Sequence, residues 1–321
     1  MRVPESIKTV FDTFPLKTFP AVPVGSPDQT QAVEDQKFYF RGEPSKDGNS
    51  FILGVHSILP IEVDGITKYI PSDPISLAKC LSTCHKNNLK LPISGDEKSG
   101  ESSNCMMAFA HQASPDQELP LLIHDSNGRD RTFITSRSMS SISIKKVTSV
   151  TAQVVLEMIE TKLYDLWISC LLVEADETSL NKIFRLNSQS SWTSQLYTVA
   201  LFQEIPSWRN FNIRHSNLFT TSRVKKLAQG SSMASTFGST LSALRTNVSL
   251  DHFYKDQLIE FEAILQSLTD FIENNEDEDP VVEIEVAAFL ISVDQTLKDT
   301  KLGKLIQTSL LDRCYLLLSK Y

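Results

Sequence analysis

The residues able to do chemistry are few and scattered. Cys80 and Cys84 stand four apart beside His85. A metal site needs three or four converging ligands, and no second ligand pair is near in sequence, so buried, reduced thiols are expected. The six histidines show no H-E-x-x-H spacing. No G-x-G-x-x-G, Walker or G-x-S-x-G pattern occurs either. Asn247-Val248-Ser249 is a glycosylation sequon, which has meaning only in a secreted protein. A denser feature is a basic segment in which Arg209, Arg214, His215, Arg223, Lys225 and Lys226 alternate with Trp208, Phe211 and Phe219. In an acidic protein such a concentration can dock on anionic lipid headgroups or on an acidic partner. A solvated loop with its aromatics folded into the core explains it equally well. No catalytic set, metal or cofactor is expected.

The bulk composition narrows the classes. A chain of 321 residues with 41% apolar and 22% charged residues has enough material for one large or two moderate domains. A formal charge of −8 argues against nucleic-acid binding, which needs a basic excess to neutralise phosphates. No apolar run approaches the roughly 20 residues that span a bilayer, so membrane contact is expected to be peripheral. Glu5 and Asp12 break up the place where a signal-peptide core would lie. The five cysteines (80, 84, 105, 170 and 314) are odd in number and dispersed, which fits a reducing compartment.

The elements that must position these residues follow from pattern. Residues 1–40 read as a largely extended arm, because Pro4, Pro15, Pro20, Pro23 and Pro27 forbid a long helix. Phe38–Phe40 and Phe51–Leu59 are strand-like. A helix then begins at Asp73-Pro74, a capping carboxylate followed by a proline where a missing N–H costs nothing, and Asn87-Asn88 stops it. Residues 94–104 form a polar loop, and Met106–His111 a further strand. Leu119-Pro120-Leu121 opens another strand, Asn127-Gly128 supplies a type I′ hairpin turn, and Arg131–Thr135 returns. Ser136 or Ser138 is placed to cap the helix that follows. The order is βαβ, then ββα.

Beyond about residue 147 the period becomes helical. Val155, Ile159, Leu163, Leu166, Cys170 and Val173 line one face of a long helix. Tyr254, Leu258, Phe261, Leu265, Leu268 and Ile272 make the cleanest stripe, ended by the acidic run Glu273–Asp279. Asp279-Pro280 repeats the cap-plus-proline start, and Val281–Ile291 is apolar nearly all round, as a central buried helix would be. Leu302–Leu318 reads as the last helix. Residues 228–250, rich in Ser, Thr, Gly and Ala, read as a flexible segment.

The β-proline-hairpin-serine order resembles the second half of the thioredoxin-like domain of glutathione transferases. The fold class expected is therefore α/β plus all-α, glutathione-transferase-like: an arm over 1–40, a thioredoxin-like domain over 41–146 and a helical domain over 147–321. That resemblance implies a cis proline at Pro120 and a ligand-holding serine at Ser136 or Ser138. An enzyme of the family also needs a hydroxyl or thiol just after the first strand, where Thr67 and Tyr69 are the only candidates and neither stands at a recognisable position.

Four segments carry a closer resemblance: Phe11-Asp12-Thr13-Phe14-Pro15-Leu16, Leu53-Gly54-Val55, Asp73-Pro74 through Leu91-Pro92, and Leu163-Tyr164-Asp165-Leu166-Trp167-Ile168. Together they resemble the small metaxin-like subunit of the fungal mitochondrial sorting and assembly machinery. The resemblance implies a non-enzymatic protein, peripheral on the cytosolic face of the mitochondrial outer membrane. Its implied partners are a barrel subunit related to bacterial BamA, a second metaxin-like subunit and β-barrel precursors, whose β-signal it would help recognise. Candidate partner or membrane contacts are Phe11, Phe14 and Leu16 in the arm and Arg209, Arg214, Arg223, Lys225 and Lys226 in the basic segment. Pro120 and Ser136 would border a precursor groove. The alternatives are a glutathione-dependent transferase and a cytosolic scaffold of the same fold.

Overall fold

The computed structural model of the chain describes residues 27–43, 49–94, 103–126, 130–140, 147, 149–185, 205–219, 247–274, 280–306 and 309–321. Two units are distinguished, residues 1–37 and residues 38–321. In the first, part of the stretch expected to be extended forms a short helix, α1 (Pro27–Glu34), with Pro27 at its first position. A Lys37–Glu34 ion pair of 2.6 Å follows it.

The second unit opens with a mixed sheet. β1 (Phe38–Tyr39), β2 (Ser50–Val55), β5 (Cys105–Ala108), β6 (Leu121–Ser126) and β7 (Asp130–Ile134) lie in the order β1-β5-β2-β6-β7. β5 runs parallel to β2, and β6 and β7 follow antiparallel. The parallel pair requires a crossover, and α2 (Pro74–Asn87) supplies it. The single strand expected over Phe51–Leu59 is in fact broken at His56-Ser57. Its second part opens a separate hairpin, β3 (Ile58–Val63) and β4 (Ile66–Pro71), turning at Asp64 and Gly65 with φ of 53° and 75°.

α2 begins as its sequence dictates. Asp73 accepts the Ser76 N–H at 2.8 Å, Pro74 fills the first turn, and Asn88 closes the helix at φ 51° in the left-handed region. Ile75, Leu77, Ala78, Cys80, Leu81 and Cys84 are buried.

The C-terminal part is helical. The long helix expected is present over 150–173, as α3 (Val150–Met158) and α4 (Tyr164–Val173) joined through a π turn at Ile159–Leu163. The apolar face survives the interruption, with Ile159, Leu163, Leu166 and Cys170 all buried. α5 (Glu177–Phe184), α6 (Trp208–Arg214) and α7 (Val248–Asn274) follow. Val248–Leu250, expected at the end of the flexible segment, form the first turn of α7; residues 228–246 lie outside the described residues. α8 (Val281–Thr296) is buried nearly all round, as its sequence requires, but Pro280 occupies its cap position and makes no side-chain bond; Asp279 lies outside the described residues. The expected last helix is two, α9 (Lys301–Leu305) and α10 (Ser309–Lys320).

α8 joins sheet to helices. Lys79 of α2 meets Glu285 of α8 at 2.7 Å, and Ser292 donates to the Ser72 carbonyl at 2.7 Å. Ser72 in turn donates to the Ile183 carbonyl at 2.7 Å. Lys68, buried on β4, donates to the carbonyls of Leu318 and Ser319 at 3.0 and 3.1 Å, placing a cation on the C-terminal end of α10.

Candidate functional site

The β6–β7 hairpin delivers the candidate groove residues to one place. Leu122 pairs with Ile134, so Pro120 and Ser136 emerge at the same end of the two strands. The Leu119–Pro120 peptide is cis, as the resemblance implies, and the flanking Leu119 and Leu121 are fully buried. Ser136 is also buried, but it is the first residue of a helical turn over 136–140 and not its cap. That place belongs to Thr135, whose carbonyl accepts from Met139 N–H at 3.0 Å and whose hydroxyl lies 3.3 Å from that of Ser138.

The loop before Pro120 is rigidified by its own polar groups. Ser114 donates to Asp116 at 2.7 Å, Glu118 N–H donates to the same carboxylate at 3.3 Å, and Gln117 takes a left-handed φ of 59°. Glu118 is thereby held beside Arg137, 3.9 Å away and 60% exposed. Burial pushes the Glu118 carboxyl above its usual range, Arg137 pulls it back, Asp116 pushes it up and Arg209 pulls it down. Arg209 therefore belongs electrostatically to the same junction as Pro120 and Ser136.

The other basic residues divide. Arg214 turns inward onto Asp165, a carboxylate only 1% exposed, with Nε 3.1 Å from Oδ2 and Nη2 on Oδ1. His215 Nε2 meets the same Oδ2 at 2.7 Å. Their guanidinium and imidazole are occupied in compensating a buried charge. Trp208, Phe211 and Phe219 are buried in an aromatic cluster with ring centroids 5.5 to 6.2 Å apart, so the aromatics of this segment serve the core. Arg209 and Ile213 face outward. Phe11, Phe14, Leu16, Arg223, Lys225 and Lys226 lie outside the described residues.

The remaining candidates are placed away from the junction. Thr67 and Tyr69 lie on β4, and the Tyr69 ring packs 4.6 Å from that of Phe38 at the β1 edge, three strands from β6. All five cysteines are buried free thiols. Cys80 is pushed well up by its hydrogen bond with Cys84 and by burial, Cys170 is raised by burial to about 11, and Cys314 by burial to about 12. Cys80, Cys170 and Cys314 are therefore thiols near neutrality. Among the described residues, no group of three or more His, Cys, Asp or Glu could hold a metal ion.

Sequence inspection missed two features. Asp165 stands in an otherwise apolar Leu-Tyr-Asp-Leu-Trp-Ile run, and a charge inside such a helix demands a partner; that signal was there to be read. The conjunction of Glu118 with Arg137 and Arg209 had no local signal, since it joins residues from three separate segments.

Similarity to known proteins falls on one family. The pattern of the family described as "SAM35, subunit of SAM complex" matches residues 1–124. A Saccharomyces cerevisiae protein, the sorting assembly machinery 35 kDa subunit, is 25% identical over 238 residues, covering 67% of this chain and 70% of that one. Both matches fall on the same subunit: residues 1–124 are similar to the SAM35 family, and two thirds of the chain to the yeast 35 kDa subunit.

Proposed function

We propose that this chain is a non-enzymatic subunit of the sorting and assembly machinery of the mitochondrial outer membrane. It sits peripherally on the cytosolic face, beside a BamA-like barrel subunit and a second metaxin-like subunit. There it helps recognise the β-signal of β-barrel precursors and supports their insertion. The observation that carries this reading is the family match over residues 1–124, together with the yeast relative. Among the described residues no helix is long and apolar enough to cross a membrane, which is compatible with peripheral association.

The architecture supports a glutathione-transferase-like fold. The order β5-β2-β6-β7, with one parallel pair bridged by α2 and a cis proline entering β6, is thioredoxin-like, and an all-helical part follows. On this reading residues 41–146 form the first domain and 147–321 the second. The junction holding Pro120, Ser136, Glu118, Arg137 and Arg209 occupies the place where a transferase would hold its ligand, and it is the candidate precursor groove. Phe11, Phe14 and Leu16 form an apolar arm segment that docks on a neighbouring subunit.

The test is crosslinking of a radiolabelled β-barrel precursor to the full chain in isolated mitochondria. Substituting Pro120 and Ser136 is expected to weaken the crosslink, and deleting residues 1–20 to weaken complex assembly while leaving the isolated chain folded. Unchanged crosslinking removes the groove, and unchanged assembly removes the arm. Retention of the chain on glutathione resin with turnover of a generic electrophile would instead favour a transferase.

A further inference from the structure

A small cavity lies where α2, α3 with its π turn, α8 and the turn over 136–140 meet. Its volume of about 10 Å³ leaves room for one water-sized body and no more. Leu156 and Val281 give it apolar walls, and both are buried. The rest of its lining is polar: Lys79, Glu285, Glu160 and Ser140. A cavity with apolar walls alone stays dry, whereas one that offers two to four polar partners holds a water.

These polar groups are unequally satisfied. Glu285 is complete, one oxygen taking Lys79 at 2.7 Å and the other accepting from the Tyr164 hydroxyl. The Lys79 ammonium, 6% exposed, commits one of its three N–H donors to that bond. Glu160 stands on the π turn, whose widened bond runs from the Tyr164 N–H to the Ile159 carbonyl. Among the described residues its half-buried carboxyl makes no hydrogen bond or ion pair, and neither does the Ser140 hydroxyl. The charges that face Glu160 are Lys79 from α2, Glu285 from α8, Glu157 from α3 and Arg214 from α6. A monovalent cation of water's size is disfavoured in the cavity, because the Lys79 ammonium already stands in its wall and repels it.

We propose that this cavity is the binding site of one resident water, which accepts from the Lys79 ammonium and donates to the Glu160 carboxyl and the Ser140 hydroxyl. The water satisfies groups from three elements at once. It ties the turn that carries Ser136 and Arg137 to α2 and to the π turn, so this side of the junction is anchored to the helical part through it. Burial raises the Glu160 carboxyl, as befits a group bridged by a neutral molecule and not closed by a direct ion pair. The site rests on the cavity and does not depend on the assembly-machinery reading.

The experiment is a high-resolution crystal structure of the full chain, paired with urea unfolding and amide hydrogen exchange of the parent and of Val281→Ile. The expected result is a water peak within hydrogen-bonding distance of Lys79 Nζ, the Glu160 carboxyl and Ser140 Oγ. Val281→Ile adds one methyl group to the cavity wall. Filling a dry void would raise the urea midpoint. Displacing a bridging water strands the groups it served, so the midpoint should instead fall by roughly 0.5 M, and exchange at residues 136–140 should quicken. Glu160→Gln keeps a hydrogen-bonding group at the site and should keep the water. Absence of the water peak from the parent structure overturns the proposal, whatever the variant does. So does a Val281→Ile midpoint above the parent's, or a variant that loses the water with exchange at 136–140 unchanged. A parent midpoint that drops when tetramethylammonium replaces potassium or sodium at constant ionic strength assigns the cavity to a cation and overturns it as well.

Discussion

Lys79 Nζ lies 2.7 Å from Glu285 Oε1, with the two side chains only 6% and 8% exposed, so a buried ion pair joins α2 to α8. The second oxygen of Glu285 accepts from the Tyr164 hydroxyl at 2.5 Å. Glu285→Ala strands the Lys79 ammonium and should cost about 3–5 kcal/mol in urea unfolding. The Lys79→Met, Glu285→Leu double variant should recover most of that loss, because apolar replacements leave no charge unpaired. A double variant as unstable as the single one would show that packing and not charge pairing holds this junction.

Asp165 holds Arg214 and His215 and so fixes α6 against α4. Asp165→Asn keeps the shape but removes the charge, and its expected cost is about 3 kcal/mol. Hydrogen exchange should speed up in residues 208–215 before the rest of the helical part. Uniform destabilisation, without local loosening, would refute the clamp.

The Phe109 ring lies over Gly54 so closely that a Cβ on Gly54 would stand 2.1 Å from a ring carbon. Gly54→Ala must displace the ring from the sheet and should cost about 1–3 kcal/mol. Adding Phe109→Leu should return part of it. Absence of any cost in the single variant would mean the ring has an alternative seat.

Glu160 beside α3 carries a carboxyl raised above its usual 4.5 chiefly by burial, with Lys79 lowering it and Glu285 raising it. Its folded value exceeds its unfolded one, so the folded state holds the proton longer and stability falls as pH rises through the folded value. Glu160→Gln should therefore unfold at higher urea than the parent at pH 7, and the gap should shrink as pH is lowered toward about 4.5. A gap that widens on acidification would contradict the sign.

Much of this fold was legible residue by residue. Asp73, Pro74 and Asn88 punctuate α2 as their chemistry requires, and the stripe from Tyr254 to Ile272 lies on the buried face of α7 except for half-buried Leu258. The π turn at 159–163 was not legible, because it leaves the apolar spacing of Ile159, Leu163 and Leu166 intact. The β3–β4 hairpin was missed because Leu59 to Ile70 alternates beneath a proline and several charges, and its inner lysine, Lys68, reads as surface until the α10 carbonyls are seen above it. At the junction, Pro120 was legible from its place before a hairpin. Arg214 was not: its sequence neighbourhood reads as surface, and only the fold reveals Asp165 beneath it.

The central claim is membership of a peripheral outer-membrane assembly, and one measurement addresses it directly. Labelled, purified full chain would be added to isolated mitochondria, and the barrel subunit purified in mild detergent. Protease exposure and alkaline extraction would be scored on the same membranes. The expected result is co-purification of the chain with the barrel subunit, sensitivity to protease added from the cytosolic side, and release by alkali. A chain that stays in the soluble fraction, unbound to the barrel subunit, would contradict the account.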